Sequence, residues 1–182
     1  MKKFTKLKTL FSKYVFQFDK INYFLSKKDV NSRCILCELS KETEDSLMIC
    51  KSDFLVVSVN LYPYNSGHLM IFPIRHIEKY NELNKEEYYH LFELTKFFIE
   101  ALNNIYKPSG FNIGMNLGEN SGASIKHIHQ HIIPRFHNEL GMIDIIGGYK
   151  VIVESPIISQ KKLIEYTKSN LKSLPFKIYL KN

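Results

Sequence analysis

No apolar run in the 182-residue chain approaches the ~20 residues that a membrane-spanning helix needs. The opening residues 1–8 are basic, but no long apolar stretch or small-residue cleavage site follows them, so a secretory leader is not expected. Cysteine is scarce and odd in number, at three, with Cys34 and Cys37 in a C-x-x-C pair and Cys50 apart. That count argues against a secreted disulfide scaffold and makes a reducing cytoplasm the expected location. Internal repeats and low-complexity segments are absent as well. What remains is a 45% hydrophobic composition, enough for a real core, in a length that suits one domain with an extra terminal element.

The formal net charge of +7 implies attraction to anions: nucleotides, polyphosphates or, non-specifically, nucleic acid. Eight of the lysines fall in the first 28 residues. There Phe4, Leu7, Leu10, Phe11, Tyr14, Val15 and Phe18 recur at helical spacing. Residues 1–31 are therefore read as a basic amphipathic extension, expected to dock on its own fold or a partner subunit rather than on a membrane or nucleic acid.

Residues 29–46 read as a loop or small knuckle around the C-x-x-C pair. The apolar runs Phe54–Val59 and His68–Phe72, divided by the turn-rich residues 60–67, predict two strands. Asn84 with Glu87 three residues on is a capping box, and Leu91, Leu94, Phe98, Ala101, Leu102 and Ile105 give one long helix its apolar face. Phe111–Asn116 alternates as a third strand, and the glycine-bearing loop 118–124 leads into the most informative stretch of the chain. A loop and short strand at 144–151, then a shorter helix at 159–172 and a basic tail, complete an antiparallel α+β pattern.

That informative stretch is His127-Ile-His129-Gln-His131, followed by Ile132, Ile133 and Pro134. Histidine at every second position predicts a strand with three imidazoles along one face. Neutral imidazole is a nucleophile, a proton shuttle and a metal ligand near pH 7. On a continuous strand, positions i and i+4 are about 13 Å apart, so His127 and His131 cannot share one metal ion. A division of labour follows, with the two ends doing different jobs and His129 between them. The adjacent glycines would let backbone N–H groups approach phosphate oxygens closely. His90 and His137 read as packed or solvated. The C-x-x-C pair on its own stays open between structural zinc, a redox pair and chance.

The histidine run resembles the signature of the histidine-triad (HIT) superfamily, His-x-His-x-His followed by two apolar residues. Asn60 with Gly67-His68, Pro73 before His76, Asn116-x-Gly118 and Gly122 are similar to that superfamily's hairpin and nucleotide loop. The segments 60–70 and 110–118, Gln130, and Ile146-Gly147-Gly148-x-Lys150-Val151 resemble the bacterial-type diadenosine tetraphosphate phosphorylases. Small HIT hydrolases usually carry Gly-Gln-Ser/Thr where this chain has Gly122-Ala123-Ser124. The chain departs from the phosphorylase branch in having no tryptophan, where that branch has a tryptophan-rich N-terminal segment.

The resemblance implies an α+β HIT-like antiparallel sheet with one long helix, a shorter C-terminal helix and a zinc-pinned Cys loop. Residues 32–155 would form the HIT domain and 156–182 a C-terminal helix and tail. His129 would be the nucleophile, with His131 and His68 bracketing the phosphate. Asn60, Asn116, Gly122, Ala123, Ser124 and Gln130 would contact the substrate. Cys34, Cys37, His76 and His127 would hold a structural zinc, and magnesium would accompany the nucleotide. The implied reaction is phosphorolysis of diadenosine tetraphosphate to ATP and ADP through a nucleotidyl-histidine, in a homodimer. The alternatives are a HIT hydrolase of dinucleoside polyphosphates or other adenylylated molecules and, in another class, a nucleotide- or nucleic-acid-binding module.

Overall fold

A computed structural model describes residues 34–41, 46–137, 139 and 154–181. The basic amphipathic segment 1–31 and the expected loop and strand at 144–151 lie outside the described residues. Within them are six strands and three α-helices: α1 Ile35–Leu39, β1 Met48–Lys51, β2 Leu55–Val59, β3 Leu69–Pro73, α2 Lys85–Tyr106, β4 Gly110–Met115, β5 Gln130–Arg135, α3 Pro156–Asn170 and β6 Tyr179–Leu180. The strands form one sheet in the order β4-β5-β3-β2-β1-β6, and every neighbouring pair is antiparallel.

The hairpin of β2 and β3 is the centre of the sheet, in register from Leu55 opposite Pro73 to Val59 opposite Leu69. Every residue of both strands is buried, because each face is covered. On one face Leu55, Val57, Val59, Leu69, Ile71 and Ile132 pack against Leu94, Phe98 and Leu102 of α2 and Leu163 of α3. On the other, Val56, Met70 and Phe72 pack with Met48 and with Leu36 of α1. Strand alternation sorts these side chains, and full burial of each large one stabilises the fold by about 1.5–3 kcal/mol. His131 lies opposite Met70 in the ladder and so stands on the α1 face, while its neighbour Gln130 faces the long helix.

Helix α2 starts where the capping box predicts. Asn84 Oδ1 accepts the Glu87 N–H at 2.8 Å, and the Glu87 carboxylate accepts the Asn84 N–H at 2.8 Å. Its C-terminal turn presses on the loop between β2 and β3. Gly67 has φ +79° there, and a Cβ at that position would stand 2.9 Å from Leu102 and Tyr106 side-chain atoms. Both the backbone angle and the space demand glycine. Helix α3 begins at Ser155-Pro156, and Gln160 donates to the carbonyls of Ser46 and Met48 at 2.9 and 2.6 Å, tying it to the start of β1. Leu163 joins the same core, so the C-terminal helix completes the domain's packing.

Three expectations change. The knuckle around the cysteines contains a helical turn, α1. Strands β1 and β6, which widen the sheet, were not anticipated. The histidines do not run along one strand: β5 begins only at Gln130, and His127 and His129 precede it. Ile128 causes the break. Its N–H donates to the Ile77 carbonyl at 2.8 Å and its side chain enters a small apolar cluster with Ile77 and Leu83. The chain is thereby drawn off the β3 ladder before the strand begins.

Candidate active site and metal centre

The break at Ile128 sends His127 and His129 to different surroundings. His127 meets the cysteine knuckle. Its Nδ1 lies 3.4 Å from Cys34 Sγ and 3.6 Å from Cys37 Sγ, and His76 Nδ1 lies 3.4 Å from Cys37 Sγ. The four donor atoms of Cys34, Cys37, His76 and His127 all fall within 4.8 Å of one another. A tetrahedral zinc with Zn–S of about 2.3 Å and Zn–N of about 2.0–2.1 Å sets its sulfur and nitrogen ligands roughly 3.6 Å apart. The donor chemistry and the spacing therefore fit a zinc-type ion.

The surroundings of this quartet fit the same ion. His127 Nε2 donates to the Pro73 carbonyl at 3.0 Å, which turns the Nδ1 lone pair toward the sulfurs. Burial, then the neighbouring His76, pushes His127 down to about 4, so the ring is neutral as a ligand must be. Burial, then Cys34, pushes the Cys37 thiol up to about 11. Two thiolates side by side need a cation to be stable there.

The connection between β3 and α2 that carries His76 is held by a pair that the sequence did not disclose. Arg75 Nε and Nη2 donate to the two Glu87 oxygens at 2.7 and 2.8 Å, and Nη2 also donates to the Glu82 carbonyl. Glu87 is 1% exposed. Burial raises its proton affinity, but Arg75 and the Asn84 N–H outweigh that and hold its carboxyl below the usual carboxylate range. The capping box was legible, but its second use as an anchor for the connection that carries His76 has no sequence pattern.

His129 has the opposite arrangement from His127. Its Nδ1 donates to the His127 carbonyl at 2.8 Å, leaving Nε2 with a free lone pair. Burial lowers the proton affinity of this ring, against the hydrogen bond that raises it. His131 stands edge-on to it, ring centroids 4.8 Å apart, and His131 Nδ1 lies 2.9 Å from His68 Nε2. A backbone donor fixes the protons in this chain. The Tyr64 N–H donates to His68 Nδ1 at 3.1 Å, so His68 carries its proton on Nε2 and donates to His131 Nδ1. His131 must then carry its own proton on Nε2, aimed away from His68. Burial, then His129, pushes His131 down to about 4, so it stays neutral and donates one proton. The Tyr64 ring stacks on His68 at 5.2 Å and 15°.

The remaining expected site residues divide. Asn60 Nδ2 lies 3.5 Å from His68 Nε2, and its Oδ1 accepts the Tyr62 N–H at 2.9 Å, so it borders the histidine chain. Asn116 directly follows Met115, the last residue of β4 and the ladder partner of Gln130. A Cβ on Gly122, which has φ +88°, would lie 3.9 Å from Asn116 Nδ2. Gly122 is exposed and Ala123 and Ser124 are half-buried, in the irregular stretch that leads to His127. Gln130 is not brought to the histidines. Its amide donates to Thr95 Oγ1 on α2 at 2.7 Å, through the opposite face of the sheet.

The other histidines and the third cysteine stand apart. His90 is buried, accepts from the Ser52 hydroxyl at 2.9 Å and stacks on Phe176 at 3.7 Å. Ser52 Oγ already accepts two backbone N–H groups, which leaves its hydroxyl proton for His90. His137 is exposed, and Cys50 is wholly buried.

A family model for the HIT domain matches residues 41–138, more than half of the chain. The chain belongs to the HIT domain family. An AP-4-A phosphorylase of Mycobacterium tuberculosis is 39% identical over 110 residues, covering 60% of this chain and 56% of that protein. The chain thus aligns with little more than half the length of that relative. An asymmetrical bis(5'-nucleosyl)-tetraphosphatase of Schizosaccharomyces pombe is 27% identical over 107 residues, 59% of each chain. HIT relatives of this chain are therefore nucleotide-processing enzymes. Among solved structures, a zinc-bound histidine triad family protein of Mycobacterium smegmatis superposes with TM-score 0.63 at 17% identity, over 77% of this chain and 96% of that one. At that identity the HIT fold alone is shared. Among the described residues no helix is long and apolar enough to cross a membrane.

Proposed function

We propose that this chain is a nucleotidyltransferase that cleaves diadenosine tetraphosphate by phosphorolysis, with His129 as nucleophile. The observation that carries the reading is the tied Nδ1 of His129, which frees Nε2, beside a His131 whose Nε2–H is fixed as a donor. His129 Nε2 attacks the α-phosphorus, forming an N–P bond as the bond to the bridging oxygen breaks and ATP leaves. His131 Nε2–H donates to the phosphate oxygens as negative charge grows on them. Inorganic phosphate then attacks the same phosphorus, the N–P bond breaks, and ADP is released. Asn60, Asn116 and the 122–124 segment are the groups we assign to the nucleotide, which would enter with magnesium.

The acceptor and substrate are supported by the 39% identity to an AP-4-A phosphorylase. Hydrolysis, with water as acceptor, is the second reading, and the tetraphosphatase relative favours it. We assign zinc to Cys34, Cys37, His76 and His127, where it would hold the α1 knuckle against the hairpin beside the site, in a structural part. A homodimer joined sheet to sheet would use the edge of β4, which among the described residues pairs only with β5.

The test is a product assay on diadenosine tetraphosphate with and without inorganic phosphate, resolved by chromatography. ATP plus ADP, appearing only with phosphate, is the expected result. ATP plus AMP regardless of phosphate would make the chain a hydrolase, and absence of turnover would overturn both enzyme readings.

A further inference from the structure

We infer that Gln130 and Thr95 form a positioning device, through which the long helix α2 sets the geometry of the two reacting histidines from the far side of the sheet. Gln130 occupies the single position between His129 and His131, and it is the first residue of β5. Its backbone is flanked by Ile71 on β3 and Met115 on β4. Its side chain enters the layer between sheet and helix, where Ile71, its partner on β3, shares one apolar cluster with Ile132, Leu91 and Leu94. An apolar side chain would fill such a place by non-directional packing. An amide there is tolerable only with a partner, and a hydrogen bond adds direction.

The partner is itself fixed. Thr95 Oγ1 accepts from Gln130 Nε2 at 2.7 Å while its hydroxyl proton goes to the Leu91 carbonyl one turn back, at 2.6 Å. Gln130 is thereby tied to the main chain of a 22-residue helix capped at both ends. His129, one residue earlier, has left the ladder, and its ring is held by the short bond to the His127 carbonyl. The point at which β5 begins therefore decides where the His129 ring sits relative to the His131 donor. The Gln130 amide touches neither ring, and this inference rests on the proposed role of His129.

Thr95→Val in the full chain removes the hydroxyl at nearly constant volume, on the face of the sheet remote from the histidines. It should lower kcat on diadenosine tetraphosphate by about 10- to 100-fold, the range that small misplacements of reacting groups produce, with KM and bound metal unchanged. Thr95→Ser should restore the rate. The double variant Thr95→Val with Gln130→Met replaces both partners by apolar groups, which restores packing without the directional bond. It should melt like the natural chain and stay slow.

Long-range imidazole proton–nitrogen correlation spectra give a readout independent of substrate. His129 should show a single Nδ1–H tautomer in the natural chain and an exchanging mixture in both Val variants. Wild-type kcat and an unchanged His129 spectrum in the double variant would overturn the inference. A natural chain without turnover would instead sink the proposed reaction, and the spectra would still decide the positioning.

Discussion

His127 and His129 stand two residues apart, and they are tied by opposite ring nitrogens. His127 spends Nε2 on the Pro73 carbonyl and turns Nδ1 to two sulfurs. His129 spends Nδ1 on the His127 carbonyl and keeps Nε2. The residue type is identical, and both rings are buried and neutral. The backbone acceptor that each ring finds selects which nitrogen it keeps, and the proposed ligand and nucleophile roles rest on that difference. The Ile128 anchor between them makes this possible, since a continuous strand would have pointed both rings the same way.

The comparison can be broken most sharply at His129. His129→Ala should lower turnover by about 10⁴-fold or more, as loss of a nucleophile does, while the melting temperature and metal content stay near those of the natural chain. Steady-state assays beside elemental analysis test both halves. Cys37→Ser should do the reverse. It should abolish stoichiometric zinc and lower Tm by at least about 10 °C, since a structural ion contributes directly to folding. Metal analysis and calorimetry would show it, and retained zinc would contradict the quartet.

A smaller effect belongs to the Arg75–Glu87 anchor. The Glu87 carboxyl titrates lower in the folded chain than its unfolded value of about 4.3, so its contribution is present above that pH and is lost as pH falls through the folded value. Glu87→Gln should therefore cost about 1–2 kcal/mol at neutral pH, with the gap from the natural chain closing below about pH 4. Unfolding curves across that range check it. His137→Ala, at an exposed ring, should leave the rate unchanged and shift the unfolding free energy by no more than about 0.5 kcal/mol.

Much of the fold was legible because its elements are locally self-declaring. The β2–β3 hairpin has two apolar runs around a Gly67 turn, and α2 announces itself by Asn84, Glu87 and a long apolar stripe. Strand β1 has only four residues without alternation, and β6 has two whose pairing depends on β1. Neither carries a period that a sequence can display. The start of β5 was misplaced because alternation alone looks like a strand, and the competing Ile128–Ile77 contact is 51 residues away in sequence.

The candidate site was legible to a different degree. The Cys/His quartet joins residues up to 93 positions apart, and only the family resemblance brought them together in advance. The proton chain through Tyr64 was hidden because its decisive donor is a backbone N–H, which leaves no mark on residue identity. Gln130 was expected at the substrate because it sits in the triad. Its side chain follows strand alternation to the opposite face and finds Thr95 instead.

A nucleophilic His129 must become covalently nucleotidylated on Nε2 during turnover. The direct measurement is acid-free denaturing quench of the natural chain during turnover of diadenosine tetraphosphate, followed by peptide mass spectrometry and phosphorus NMR of the trapped protein. One adenylyl group per chain is expected, as a phosphoramidate on His129, absent from His129→Ala. An adenylyl group on another residue, or turnover that persists in His129→Ala, would contradict it.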